Sequence, residues 1–256
     1  MYISYGTHTD RGKVRESNED SYAANAKNRL FLVADGMGGH AAGEIASSIA
    51  ASTVEEYVAL RHSSPLAPRD ILQLAVREAN TRIYHTQLDR AEFAGMGSTL
   101  TAILLRNGKY YVAHVGDSRA YLLRDGVLRQ ITRDHSVVWD LLEKGLIEKK
   151  DLSGHPKKNL ITRSIGPHPQ VEIDMEAGDV QAGDVYLLCS DGLTDVVADE
   201  NLGRLLSGSR GTPQQLSEDL VEAANRAGSP DNITAVVLRI EDAESDNGDT
   251  GKIILR

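Results

Sequence analysis

The sequence predicts an α+β fold: a four-layer α/β/β/α sandwich of two mainly antiparallel sheets flanked by antiparallel helix pairs. Three observations predict it. Apolar runs between 98 and 131 are punctuated by Asn107-Gly108, Gly116-Asp117 and Asp125-Gly126, the pattern of an antiparallel meander. Two amphipathic helical stripes flank a short connection, which gives an antiparallel helix pair. The order of strands, helix pair, many strands, helix and strand lacks the regular βαβ alternation of a doubly wound sheet.

The elements follow in order. Residues 2–9 alternate as a strand, and Asp10-Arg11-Gly12 breaks it. A polar run from Arg15 to Asp20 leads into a short strand near Tyr22. Leu30–Ala34 is a buried strand. After His40, the residues Ile45, Ala46, Ile49, Ala50, Thr53, Val54, Tyr57 and Val58 fall on one helical face. A connection containing Pro65 and Pro68 precedes a second stripe of Ile71, Leu72, Ala75, Val76, Ala79 and Ile83. The strand block is 98–105, 110–115, 119–123 and 127–131. Residues 137–166 are charged and partly helical, with Gly and Pro near the end, and form a flap insertion. Val185–Cys189 is a buried strand, 213–227 a helix and 233–240 a last strand. No linker or repeat divides the chain. Residues 1–241 form a single domain and 242–256 an acidic, mobile tail.

Composition excludes several classes. The 256 residues are 41% hydrophobic and 25% charged, ordinary for a globular protein. No apolar run approaches the roughly 20 residues of a membrane span. Met1–Tyr5 lacks the basic-then-apolar pattern of a secretory signal. These features give a cytoplasmic protein with no membrane attachment. The single Cys189 excludes an internal disulfide framework and a cysteine-based metal site. A net charge of −9 speaks against nucleic acid as a partner. The same excess of acid is what several cation-holding carboxylates would produce.

The acids are not scattered. Asp35 follows the run Leu30–Ala34, Asp117 follows 110–116, Asp191 follows 185–190, and Asp231 precedes 233–240. Asp20 ends the polar run before another strand. Asp-Gly is also the commonest hairpin-turn pair, and Asp125-Gly126 between two strand runs is simply that. Asp35-Gly36 and Asp191-Gly192 have no immediate return strand. If the strand ends converge, the cluster holds carboxylates that repel one another unless cations compensate. Oxygen-only ligands select hard ions such as Mg²⁺ or Mn²⁺. Such ions lower the pKa of water from ~15.7 toward ~7, which suits hydrolysis of a phosphate ester. A second pattern, Gly36-Met37-Gly38-Gly39-His40-Ala41, matches the dinucleotide fingerprint, but no βαβ unit follows and Asp35 would face the pyrophosphate.

The ordered motifs Asp10-Arg11-Gly12 with Arg15 and Asn18-Glu19-Asp20, Val33–His40, Gly97-Ser98-Thr99, Val115–Arg119, Ser190–Leu193 and Asp231-Asn232 resemble the bacterial type 2C metal-dependent protein serine/threonine phosphatases. The resemblance spans about residues 4–240. It implies two stacked sheets with two Mn²⁺ or Mg²⁺ ions at one end, and a weaker third. It implies that Asp35 bridges two ions, that the Gly36 carbonyl binds one, and that Asp191 and Asp231 complete the other. Asp117 with Asp191 would hold the third ion, and Asp20 would act directly or through water. Glu19 is the weaker candidate, since strand neighbours point to opposite faces. Arg15 would bind the substrate phosphate through its guanidinium fork, where its motif position outweighs a surface ion pair with Glu16 or Glu19. His40 would be the general acid for the departing serine or threonine oxygen.

The implied reaction is hydrolysis of phosphoserine and phosphothreonine in proteins by an activated water, with no covalent intermediate. The implied partners are phosphorylated proteins, including a serine/threonine kinase that the enzyme opposes, and the implied state is a monomer. Cys189 is a small apolar core residue, and His114 belongs to the core. The flap carries Lys144, Lys149, Lys150, Lys157, Lys158 and Arg163 against Glu148 and Asp151. It is either a steering surface for acidic targets or a solvated loop. The alternative function is a non-catalytic phosphoprotein-binding relative, which loss of the metal acids would mark. A nuclease lacks support from charge.

Overall fold

Period-two alternation in the strands dictates how the layers stack. A computed structural model describes residues 1–39, 41–152, 154–208, 211–242 and 253–254. The first sheet contains β1 (Tyr2–Asp10), β7 (Arg119–Arg124), β8 (Val127–Gln130), β10 (Val185–Cys189), β11 (Ile233–Glu241) and β12 (Ile253–Ile254). Its order is β12-β1-β11-β10-β7-β8. The second contains β2 (Asp20–Asn25), β3 (Leu30–Met37), β5 (Leu100–Arg106), β6 (Lys109–Val115) and β9 (Asp174–Asp179), in the order β2-β3-β5-β6-β9. The short β4 (Gly97–Ser98) adds to the end of β3. The named strand pairings are antiparallel.

Alternate residues of each strand serve different cores. In β3, Leu30, Leu32 and Ala34 face the helices, whereas Phe31 and Val33 face the opposite sheet. In β10, Leu187 and Cys189 face helices, whereas Tyr186 and Leu188 face inward. The helices α1 (Ala41–Leu60) and α2 (Pro68–Asp89) cover the second sheet. The first is covered by α5 (Asp199–Gly208) and α6 (Pro213–Ala227), with the short α4 (Asp191–Thr194) at its end. Three apolar layers thus alternate with four layers of secondary structure, as the sequence predicts. Each fully buried Leu, Ile or Phe in them stabilises the fold by roughly 1.5–3 kcal/mol.

The structure corrects two expectations and adds two elements. The strand containing Asp35 does not stop at the acid but continues to Met37, because Gly36 and Met37 pair with Ser98 and Gly97. The block 98–131 is not one meander: β5 and β6 belong to one sheet and β7 and β8 to the other. Gly116-Asp117 is therefore a crossing between sheets rather than a hairpin turn. Residues 174–179 form an edge strand that lacks an apolar alternation to reveal it. Finally, α5 adds a helix whose buried residues are only Leu202 and Leu206. In the flap segment, α3 (Val137–Glu143) and a 3₁₀ turn at Lys149–Asp151 are the regular elements. Both ends of that segment are tied down by bridges, Ser136 to Ile161 and Ser98 to Ile165. The expected mobile tail lies outside the described residues, apart from Asp242 and the pairing of Ile253–Ile254 with β1.

Two glycines fix how the layers meet at one end. A Cβ on Gly36 would overlap the carbonyl of Gly43 in α1, and one on Gly192 would overlap the carbonyl of Asn232. Backbone-to-backbone approach this close leaves no room to relax. Gly36→Ala is expected to lose about 2–3 kcal/mol of stability in urea denaturation. Gly208→Ala, where a Cβ meets nothing within 4 Å, is expected to change stability by less than about 1 kcal/mol. Equal effects at the two positions would contradict this packing.

Candidate active site and metal centre

The layer between the sheets is apolar along most of its length and turns polar at one end. Following Phe31 and Val33, the next inward position of β3 is Asp35. Following Tyr186 and Leu188, the next is Ser190. Beyond Leu238 and Val236 in β11 stands Thr234, and beyond Leu122 and Ala120 stands Ser118. Asp20 lies directly opposite Asp35 in the register of β2 and β3. Residues so paired project to one face with Cβ atoms about 4.5–5.5 Å apart. Two carboxylates therefore confront each other at the end of a hydrophobic core.

Side chains from the other sheet hold this end together. Asp20 Oδ2 accepts from Ser190 Oγ and from Thr234 Oγ1, both at 2.7 Å. Thr99 Oγ1 accepts from the Asp35 amide at 2.9 Å, and the Thr99 amide donates to the Asp35 carbonyl at 2.8 Å. Thr99 Oγ1 also meets Ser118 Oγ at 2.7 Å. Asp117 is thus flanked by Ser118 on one side and Gly116 on the other. Gly116 is gripped by His135, whose Nδ1 accepts from the Gly116 amide at 3.0 Å and whose own amide donates to the Gly116 carbonyl at 2.7 Å. Nε2 of the same ring lies 3.1 Å from Asp174 Oδ2 and 2.9 Å from Arg163 Nη1.

A cavity of about 500 Å³ opens here, lined by Glu19, Asp35, Gly36, Asp117, Asp191 and Asp231 among others, with Arg15 also in its wall. Asn159 and Ile161 of the flap segment close one side. Asp20 stands behind this wall, whereas Glu19, the weaker candidate from sequence, is part of it. Asn232 positions the loop that carries Arg15. Its Nδ2 donates to the carbonyls of Arg11 and Ser17, both at 2.9 Å, and its Oδ1 accepts from the Glu19 amide at 2.8 Å. Arg15 Nη2 then donates to Asp231 Oδ2 at 2.7 Å. Most of the residues singled out in the sequence are brought together; His40 lies outside the described residues.

The electrostatics show the cost of the arrangement. Burial, then the charges of Asp20, Asp191 and Asp117, raise Asp35 well above the carboxylate range. Burial, then Asp117 and Asp195, do the same to Asp191. Asp20 is pushed up to about 6, chiefly by burial and against its two hydroxyl hydrogen bonds. Asp117 is pushed up to about 7 by burial and by Asp134. Asp20 Oδ1 and Asp191 Oδ1 are buried and have no hydrogen-bond partner among the described residues. Hard divalent cations answer each of these features: they neutralise the repulsion and take oxygen donors alone. Among the described residues, no three acidic or histidine side chains are already closed around a point. Two of the acids are otherwise engaged, Asp231 by Arg15 and Asp20 by Ser190 and Thr234. The donor set fits a pair of Mn²⁺ or Mg²⁺ ions.

Sequence reasoning missed Thr99, Ser118, His135, Ser190, Asn232 and Thr234 as supports. Their signal was available: Ser190, Thr234 and Ser118 are polar residues at positions where the alternation demands an inward apolar one. Cys189, by contrast, is the small core residue expected, its thiol pushed up to about 12 by burial. His114 is buried, as expected. Four of the six flap bases are paired: Lys149 with Asp199 at 3.7 Å, Lys158 with Asp195 at 2.7 Å, Lys150 with Glu148 at 2.7 Å, and Arg163 with Glu172 and Asp174 at 2.9 and 2.7 Å.

This two-sheet sandwich is shared with a known group. The Protein phosphatase 2C profile matches residues 4–233, and the chain belongs to that family. It is 41% identical over 256 residues to the serine/threonine protein phosphatase PstP of Mycobacterium tuberculosis, covering 99% of this chain and 48% of the relative. The chain thus spans about half the length of that curated relative. It is 37% identical over 237 residues to the serine/threonine phosphatase stp of Listeria innocua, covering 90% of this chain and 93% of the relative. The crystal structure of the PstP catalytic domain in complex with two manganese ions superposes with a TM-score of 0.83 at 40% identity, covering 94% of this chain and 99% of that one.

The raised carboxylates have a consequence for stability when cations are removed. Asp117 has a folded pKa of about 7 against roughly 3.9 unfolded, so between these values the folded state binds the extra proton. Its stabilising contribution is complete below the lower value and is lost as pH rises through the upper one. His114 and His135, whose folded pKa values burial lowers, push stability the other way near pH 6.5, but both are present in wild type and in Asp117→Asn and cancel in that comparison. Urea denaturation in chelator is expected to show the stability of wild type relative to Asp117→Asn falling between about pH 4 and 7. A relative stability that is flat or rises over that range would contradict the assignment.

Proposed function

We propose that this chain hydrolyses phosphoserine and phosphothreonine in proteins, in a metal-dependent reaction with no covalent intermediate. The observation that carries the proposal is the convergence of Asp35, Asp117, Asp191 and Asp231, from four separate strand ends, on one cavity with a guanidinium in its wall. Asp35, the Gly36 carbonyl, Asp191 and Asp231 would hold the Mn²⁺ or Mg²⁺ pair, Asp117 with Asp191 would provide for a third ion, and Asp20 would act directly or through water. When bound, the ions supply charge neutralisation at phosphate and a low-pKa water nucleophile.

The remaining work falls to the chain's own side chains. Arg15 presents five N–H donors and is about half exposed, so it keeps its bond to Asp231 while turning its other edge to two phosphate oxygens. That contact orients the ester and neutralises its charge. His40 delivers a proton to the serine or threonine oxygen as the ester bond breaks. An alkoxide leaves poorly without one, which is why a proton donor four residues beyond Gly36 suits this chemistry. The substrates are phosphorylated cytoplasmic proteins, among them a serine/threonine kinase that this enzyme opposes, and the enzyme acts as a monomer.

Phosphate release from a phosphothreonine peptide and from an activated aryl phosphate tests this reading. Activity is expected with Mn²⁺ or Mg²⁺ and not in chelator. Asp35→Asn is expected to lose roughly a hundredfold or more in kcat. Arg15→Ala is expected to act mainly on KM, and His40→Ala to slow the peptide more than the aryl ester, whose leaving group needs no proton. Metal-independent turnover would overturn the proposal, and tight phosphopeptide binding without turnover would establish the non-catalytic alternative.

A further inference from the structure

Asp35 lies within β3, whereas Asp117 sits in the crossing Gly116-Asp117-Ser118 that leads from one sheet to the other. The strand ladders stop at Val115 and resume at Arg119, so no ladder fixes the aim of Asp117. It needs fixing, because after burial the charge of Asp117 is the largest cause that raises Asp191. An untethered crossing would swing away from that repulsion. On one side Ser118 is tied to β5: its Oγ meets Thr99 Oγ1 at 2.7 Å and its carbonyl accepts from Thr101 Oγ1 at 2.8 Å. On the other side both backbone groups of Gly116 go to a single residue, His135. Gly116 has φ 110°, and a Cβ there would overlap Thr99, so its backbone is pressed between Thr99 and His135.

The imidazole that makes this contact is itself held on every side. It is buried, and its centroid lies 4.7 Å from that of His114. His114 is fixed in turn by Thr101 Oγ1 at 2.9 Å and by the Arg133 carbonyl at 2.8 Å. At the far edge, Nε2 of His135 meets Asp174 and Arg163. Satisfying one backbone amide requires none of this, since a hydroxyl or a water would do. A ring packed and bonded at both nitrogens presents its acceptor in one direction only. His135 does not line the active-site cavity, and both its nitrogens are engaged, so it is not a cation ligand. Its effect on the site passes through Gly116.

We propose that His135 is a positioning residue of this enzyme: through Gly116 it aims Asp117 at Asp191, and so sets the affinity for the weaker third cation without touching it. The inference rests on the assignment of that ion to Asp117 and Asp191 under the proposed function. Groups that orient a metal ligand from outside the coordination sphere typically contribute roughly 10–100-fold in affinity.

The test counts Mn²⁺ ions bound to the cation-free full chain, from the electron paramagnetic resonance signal of free Mn²⁺. Wild type is expected to bind a tight pair and a weaker third ion. His135→Ala is expected to weaken the third ion at least about tenfold and to leave the pair within about twofold. His135→Asn carries an acceptor oxygen the same number of bonds from Cβ as Nδ1, and is expected to restore the third ion. His135→Gln puts its acceptor nearer the place of Nε2 and is expected not to restore it. A space-filling role would favour His135→Gln, the closer match in size. Recovery in His135→Gln but not in His135→Asn, equal weakening of all the ions, or a wild type without a weaker ion would overturn the proposal. Should His135→Ala fail to fold, the comparison of His135→Asn with His135→Gln decides alone. Hydrolysis of an aryl phosphate by the same samples tests the hydrolytic reading separately. Its absence from wild type would sink that reading, while the ion counts still decide this one.

Discussion

Asp20 and Asp35 face one another across β2 and β3, in register, at the end of the layer between the sheets. The geometry of an antiparallel pair gives them no way to turn apart, since directly opposed residues share a face. A sheet built for stability alone would place an apolar pair there, as it does at Tyr22 and Val33 two steps along. Burial, then the charge of Asp20, raises Asp35; burial raises Asp20 to about 6, while Ser190 and Thr234 from the opposite sheet take up one of its oxygens. Asp117, Asp191 and Asp231 join from three further chain segments, and each adds charge of the same sign. The end of the sandwich is therefore complete only with cations, and the need for them follows from the pairing register itself.

Such a site persists because the rest of the molecule holds it in place. Apolar layers between each sheet and its helices run the length of the fold and contain few polar interruptions. The backbone at the site is fixed by contacts that tolerate no added atom, Gly36 against Gly43 and Gly192 against Asn232. His135 grips Gly116 through both its ring and its amide, and the carbonyl of His135 accepts from Thr162 at 2.8 Å. The crossing between sheets that carries Asp117 is thus joined directly to the flap segment. Preorganisation of this kind keeps donors aimed where charge must be met, rather than letting the acids relax away from one another.

Much of this was legible in the sequence, and the reasons are physical. Strands such as Leu30–Ala34 and 233–240 bury both faces, and long apolar runs of that kind leave little ambiguity. The helix stripes from Ile45 to Val58 and from Ile71 to Ile83 have a clean period. The acids were legible because each stands where a strand run starts or stops. The sheet change at Gly116 was not, because a Gly-Asp pair reads as a turn whether the chain returns to the same sheet or crosses to the next. The edge strand 174–179 carries almost no burial signal, and α5 is short. His135 escaped notice because its partner is a backbone amide, which sequence does not display. Glu19 was judged by strand alternation, yet β2 begins at Asp20, so the rule did not reach it.

The central claim is that the clustered aspartates are a cation site and not a buried polar accident. Calorimetric titration of Mn²⁺ into the cation-free protein at pH 7, in two buffers of different ionisation enthalpy, tests it most directly. Carboxylates raised as far as these carry protons that Mn²⁺ must displace, so binding is predicted to release protons to the buffer and to weaken sharply in Asp35→Asn. Binding without proton release, or equal affinity in wild type and Asp35→Asn, would contradict the account.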